Sequence, residues 1–144
     1  MEKDYDFLKA NGPSDAEVGV VSRSLDETKW IVNYFKSDGP TAYMVYDKEK
    51  QTITPLFVTN PKLLRYKFAS MEDVRIPVRD GLELVGYVTR ASTDGPSPLI
   101  LLVHGGPWAR DFWGFDVKCQ WFANRGYSVL KVIRYITVVC FNVL

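Results

Sequence analysis

Chemistry in this chain can begin at one place: His104-Gly105-Gly106-Pro107, standing directly after the apolar run Leu99-Ile100-Leu101-Leu102-Val103. Two adjacent glycines let the backbone turn sharply and, without side chains, leave their amide N–H groups free to face a ligand. Donors held this way suit an oxyanion hole, which fixes N–H groups beside a carbon that becomes tetrahedral and places negative charge on its oxygen. A matching nucleophile is missing. A serine hydrolase needs a Ser on a strained strand-to-helix turn, a His to take its proton and an Asp or Glu to orient that His. Ser14, Ser22, Ser24, Ser37, Ser70, Ser92, Ser97 and Ser128 all lack the flanking glycines of a Gly-x-Ser-x-Gly frame, and His104 is the only histidine. No catalytic residue is assigned on this sequence, and no triad can be assembled from it.

The elements around the turn follow from patterning. Leu99 to Val103, with no polar alternation, reads as a strand buried on both faces, of the kind found in a parallel sheet. Beyond the turn, Asp116 suits an N-cap and Gly126 the position just past a helix end, with Arg125 near the negative end of the dipole. Val117, Trp121 and Phe122 fall on one face, which predicts an amphipathic helix of about ten residues. Tyr127 to Val132 returns as another buried strand, completing a strand-turn-helix-strand unit whose directions need not be parallel throughout the sheet. Upstream, Met71–Val78 and Leu82–Thr89 flank Arg79-Asp80-Gly81, a strong hairpin signal, and Ser92–Pro98 is a surface loop.

The first half of the chain is β in rhythm. A short helical or irregular piece ends at Asn11-Gly12-Pro13. Val18–Ser22, Trp30–Phe35, Thr41–Tyr46 and Thr52–Val58 then follow at spacings of about ten residues, the pattern of an antiparallel meander. Trp30, Tyr34, Tyr43 and Tyr46 are its expected packing aromatics. Asn60-Pro61-Lys62 breaks the rhythm and marks the boundary. One four-stranded propeller blade would fit the meander, as would a small free-standing sheet, since no second copy of the pattern occurs.

His104-Gly105-Gly106-Pro107-Trp108-Ala109-Arg110-Asp111, then Trp113-Gly114, then Gln120-Trp121-Phe122-Ala123-Asn124-Arg125-Gly126-Tyr127, resembles the front of the catalytic domain in prolyl oligopeptidase-family serine peptidases, of the acylaminoacyl-peptidase-like or dipeptidyl-peptidase-like branch. A bare His-Gly-Gly is shared by many esterases; the extended run is more specific. The resemblance reaches from Val21 to Val132. It implies a mixed β and α/β fold: residues 1–65 as the last blade of a β-propeller, and residues 66–144 as the N-terminal part of an α/β-hydrolase domain. It also implies an oxyanion-side loop of His104, Gly105, Gly106 and Pro107, the first of them a hydrogen-bonded histidine bracing the turn. Trp108, Arg110 and Trp113 are candidates for the substrate cleft. Their plainer roles are core packing for the tryptophans and an Arg110–Asp111 ion pair fixing the loop. Family members continue after the last strand with an Asn, an aromatic and Arg-Gly-Ser, but here Lys131-Val132 runs into Ile133-Arg134-Tyr135 and an apolar tail. A truncated fragment is therefore expected, inactive by itself, whose full-length parent cleaves short peptides by acyl transfer through a seryl intermediate. The alternatives are a non-catalytic β-rich binding or interfering protein, and a parent esterase.

Composition removes other classes. At 144 residues, 47% hydrophobic and 24% charged, the chain can bury one ordinary core. A net charge of +1 gives no reason to expect nucleic acid or an anionic membrane as partner. Cys119 and Cys140 fit neither a disulfide framework nor a metal-ligand spacing and are expected as buried thiols; no cofactor or metal is expected. The charged start, Met-Glu-Lys-Asp-Tyr-Asp, lacks the apolar core of a signal peptide, which favours a cytoplasmic location. Tyr127 to Leu144 just reaches the length of a membrane span, about 18–20 residues, yet Lys131, Arg134 and Asn142 interrupt it. No oligomeric state follows from the sequence. A partial hydrolase sheet is expected to leave apolar faces uncovered, with the strand after Tyr127 short of a neighbour.

Overall fold

The computed structural model of the chain describes residues 2–93, 95–105 and 110–133, in two compact units, Met1–Lys67 and Phe68–Leu144. Each carries one four-stranded sheet.

In the first unit, helix α1 (Glu2–Asn11) precedes strands β1 (Glu17–Arg23), β2 (Lys29–Phe35), β3 (Ala42–Asp47) and β4 (Thr52–Val58). The sheet order β1-β2-β3-β4 is that of a meander, with every neighbouring pair antiparallel. Alternation decides the faces: Trp30, Val32 and Tyr34 of β2 point into one core with Val18, Tyr46 and Leu8, because successive strand residues face opposite sides. Tyr43 has the other parity and stacks on Phe57, 4.7 Å between ring centroids. So three of the four expected packing aromatics share the core and the fourth lies on the opposite face. Helix α1 supplies the lid of that core. Leu8 is fully buried, Phe7 stacks on Tyr46 at 5.6 Å, and the Tyr34 hydroxyl donates to the Leu8 carbonyl at 2.8 Å. The edge strand β4 carries Pro55 beside a register shift opposite Tyr43 and Met44, the position where a sheet tolerates a residue with no N–H. A short 3-10 helix, Pro61–Arg65, follows.

In the second unit, β5 (Met71–Pro77) and β6 (Glu83–Thr89) form the expected hairpin, closed by Gly81 at φ +82. Strand β7 (Leu99–Leu102), helix α2 (Val117–Ala123) and strand β8 (Ser128–Val132) complete the unit. The order is β5-β6-β8-β7; β6 pairs β8 antiparallel while β7 pairs β8 parallel. The parallel pair with α2 between its strands is the predicted strand-turn-helix-strand unit. Asp116 caps α2, its carboxylate accepting from the Lys118 and Cys119 amides. At the other end Gly126, at φ +87, and Tyr127 donate back to Ala123 and Phe122, a Schellman closure that glycine adopts without a Cβ penalty.

Three expectations require correction. First, β7 is not buried on both faces: Leu99 and Leu101 are more than half exposed, because β7 is the edge of this sheet and its outward parity has no covering layer in the described residues. Second, β8 does not lack a neighbour, since β6 and β7 flank it on both sides. Third, α2 is seven residues long and its packed face is Cys119, Gln120 and Ala123 with Phe122, while Val117 and Trp121 are exposed. The Gln120 side chain sets that rotation: it donates to the Ala69 carbonyl and accepts from the Ala69 amide at 2.7 and 3.0 Å, clamping α2 to the segment entering β5. Arg125 lies at the helix end as expected, donating to the Trp121 carbonyl at 3.0 Å.

Candidate functional site

Strand β7 delivers the chain to His104 and Gly105, and the chain re-enters the described residues at Arg110. Gly106, Pro107 and Trp108, three of the expected loop and cleft residues, lie outside the described residues, as does Cys140. Gly105 is exposed, with open space on the side where a Cβ would stand. His104 is half-buried. Both its ring nitrogens are closed off from solvent and have no hydrogen-bond partner among the described residues, so the bracing bond expected of this histidine is not made there.

Arg110 and Asp111 part company. The Arg110 guanidinium lies over the Phe112 ring, 5.1 Å from its centroid, while Asp111 turns inward to Lys131, 3.4 Å away. Trp113 donates its indole N–H to the Met71 carbonyl at 2.8 Å and packs on the core of Met71, Cys119 and Val129. A pocketed cavity of about 550 Å³ lies elsewhere, against Val74, Ile76, Val88, Leu99 and Leu130, and none of the expected site residues lines it.

The arrangement that sequence reasoning missed centres on Lys131. It is 4% exposed, and its Nζ sits 3.0 Å from Asp116 Oδ2 and 3.4 Å from Asp111 Oδ1. Burial alone would favour the neutral amine, but the two carboxylates reverse that and raise the Lys131 pKa. Burial likewise works against the Asp116 carboxylate. The hydrogen bond from Lys131, the helix-cap amides and the lysine charge together hold its pKa below the usual value. A buried lysine is tolerable only when paired in this way. The signal was present: in the run Ser128-Val129-Leu130-Lys131-Val132, Lys131 shares parity with the buried Val129, so a charge was placed on the inward face.

No other described group offers itself as a nucleophile or a metal site. The Cys119 thiol is 1% exposed and pushed up to about 11, chiefly by burial and then by the nearby Asp116 charge, which keeps it protonated and inert. Among the described residues no cluster of three or more His, Cys, Asp or Glu side chains could hold a metal. No helix among them is long and apolar enough to cross a membrane.

A β-rich chain with a meander sheet and a mixed sheet is an architecture found in peptidases. Solved structures share it at low identity: a puromycin-hydrolyzing peptidase of Mycobacterium tuberculosis, with a TM-score of 0.60 at 22% identity over 73% of this chain and 17% of that one, and the acylaminoacyl peptidase of Pyrococcus horikoshii, with a TM-score of 0.60 at 23% identity over 78% of this chain and 18% of that one. Sequence narrows the class. The chain is 45% identical to dipeptidyl aminopeptidase BIII of Pseudoxanthomonas mexicana over 92% of its length. It is 31% identical to dipeptidyl peptidase family member 6 of Caenorhabditis elegans over 90% of its length. No family model matches the chain. It spans about a fifth, 20%, of the length of these curated relatives. The chain is therefore homologous to a segment of the prolyl oligopeptidase-family peptidases, and the relatives named here are dipeptidyl peptidases.

Proposed function

We propose that this chain is the segment of a prolyl oligopeptidase-family serine peptidase that joins the last blade of a β-propeller to the front of an α/β-hydrolase domain. On this reading residues 1–65 are the blade and residues 66–144 the beginning of the catalytic domain. The observation that carries it is the 45% identity to a dipeptidyl aminopeptidase over nearly the whole chain, which includes the His104-Gly105-Gly106-Pro107 run. In an enzyme of the relatives' full length, Gly105 and Gly106 would supply N–H groups to the oxyanion, and Trp108, Arg110 and Trp113 would border the cleft. A serine Oγ attacks the scissile carbonyl carbon, a histidine carries its proton to the departing amine, and water then hydrolyses the ester. The substrates of such an enzyme are short peptides, from which a dipeptide leaves at the amino end if the activity follows the name of the dipeptidyl aminopeptidase relative.

This chain cannot perform those steps. None of its serines stands in a Gly-x-Ser-x-Gly frame, and its single histidine is on the glycine turn. Its cytoplasmic location and its independence of nucleic acid, membrane and cofactor remain parts of the same proposal. Sequencing the locus tests it: a reading frame that continues, in some transcript, into Gly-x-Ser-x-Gly and a later Asp and His supports the proposal. A locus with no such frame, together with a folded chain that hydrolyses esters or captures a partner protein, overturns it.

A further inference from the structure

We propose that Asn11 is a site of spontaneous deamidation, held off by the native fold and released when helix α1 lifts from the meander. Among the asparagines of the chain, Asn11 alone precedes a glycine. Ring closure needs the next residue's amide nitrogen to reach the side-chain carbonyl carbon, and a neighbouring side chain obstructs that approach; glycine has none. Here the glycine is dictated by packing. A Cβ at Gly12 would collide with the Tyr34 ring, so the residue that lets α1 sit on the sheet is also the one that leaves Asn11 open to attack. The step balances within the chain and water. The Gly12 nitrogen bonds to Asn11 Cγ, the Cγ–Nδ2 bond breaks, and the proton of the Gly12 amide leaves with Nδ2 as ammonia. Water then opens the cyclic succinimide at either carbonyl, giving aspartate or, with the main chain rerouted through the side-chain carbons, isoaspartate.

The native structure restrains that step in two ways. Asn11 is the last residue of α1, and a helical ψ of about −42° must be abandoned before the Gly12 nitrogen can swing onto Cγ. Its side chain is also tied back, Nδ2 donating to the Phe7 carbonyl at 2.9 Å. Both restraints last while α1 stays docked, which it does through the fully buried Leu8 and the Tyr34 hydroxyl on the Leu8 carbonyl at 2.8 Å. Asn11 itself is exposed, so water has access once the last turn opens. Either product works against re-docking. A carboxylate cannot donate to the Phe7 carbonyl and puts negative charge at the negative end of the helix dipole. Isoaspartate also adds a methylene to the main chain beside Gly12, where Tyr34 leaves no room for one more carbon. Opening of α1 thereby becomes irreversible.

Peptide mapping of the purified chain after incubation at mildly alkaline pH tests this, with the aspartate and isoaspartate peptides resolved chromatographically. In urea, Asn11 is expected to convert about tenfold or more faster than Asn33 and Asn124, because no side chain shields the Gly12 nitrogen, whereas those two precede Tyr34 and Arg125. In the native chain the Asn11 rate is expected to be lower than in urea by about tenfold or more, as for any reaction that waits on local opening. Tyr34→Phe keeps the ring and drops the bond to the Leu8 carbonyl; it is expected to speed native conversion about fivefold. The deamidated chain, separated by its added negative charge, is expected to exchange its Leu8 amide about tenfold faster while the β2–β3 ladder keeps its rates. Should Tyr34→Phe fail to fold, the native-against-urea comparison and the exchange measurement still decide. Conversion of Asn11 in urea no faster than at Asn33, equal rates in urea and in the native chain, an unaltered rate in folded Tyr34→Phe, or unchanged α1 exchange after deamidation would overturn the inference.

Discussion

Gly12 sits where helix α1 turns toward the meander, and its lack of a side chain is what lets Tyr34 reach the helix end. A Cβ on Gly12 would collide with Tyr34 Cε1 and stand 2.8 Å from its Cζ and 2.9 Å from the Leu8 carbonyl oxygen. Carbon contacts settle near 3.5–4.0 Å, so in Gly12→Ala the tyrosine ring must move. The ring is 2% exposed and its hydroxyl donates to the Leu8 carbonyl at 2.8 Å; moving it breaks that bond inside the core. Overpacking costs about 1–3 kcal/mol, and a buried polar group left unpaired costs about 1–3 kcal/mol more. Gly12→Ala should therefore destabilise the first unit by ~2–6 kcal/mol. The assay is a urea titration followed by 19F NMR of 5-fluorotryptophan-labelled protein, because Trp30 is the only tryptophan of the first unit. Gly39→Ala, where an added Cβ meets nothing within 4 Å, is the control and should stay within about 0.5 kcal/mol. In a Tyr34→Leu background the ring clash is gone and only the approach to the Leu8 carbonyl oxygen remains, so Gly12→Ala should cost less there. An equal cost in both backgrounds would refute the reasoning.

Three further outcomes follow from the second unit. Asp116 has a folded-state pKa below its ordinary 3.8, so the unfolded chain binds the proton more readily and stability falls as pH drops from about 5 toward 2; Asp116→Asn should show a shallower acid limb in urea midpoints measured across that window. Cys119, with its thiol pushed up to about 11, should resist iodoacetamide at pH 8 in the native chain and react once urea unfolds it, as read by peptide mapping. Trp121→Ala should change stability by less than about 0.5 kcal/mol, as expected for an exposed position, whereas Phe122→Ala, against Met71, Cys119 and Val129, should cost about 2–4 kcal/mol; comparable losses would return Trp121 to the packed face.

Local signals carried much of the architecture. The meander strands were readable because alternation and Gly/Pro turns are short-range properties: Thr52–Val58 is β4 as read, and Trp30–Phe35 misses only Lys29 of β2. The Asp-Gly hairpin, the Asp116 cap and the Gly126 closure were equally local. Long-range choices were not legible. Nothing in Leu99 to Val103 says that β7 ends up beside β8 at a sheet edge rather than enclosed. The face of α2 was misjudged because Trp121 and Val117 outweigh Gln120 on any hydrophobicity count, yet Gln120 finds two backbone partners and goes inside. Lys131 was passed over within an apolar run, although its parity with Val129 marked it as a buried charge in need of partners. At the glycine turn the motif was plain, while residues 106–109 lie outside the described structure.

The most direct test of the account is to treat the purified chain with a fluorophosphonate serine-hydrolase probe and read its intact mass. The account predicts no adduct, since no serine has the strained glycine-flanked setting that activates it, and no release of product from a dipeptidyl anilide assayed alongside. Stoichiometric labelling at a single serine would contradict it, and would show that the chain carries a catalytic arrangement of its own.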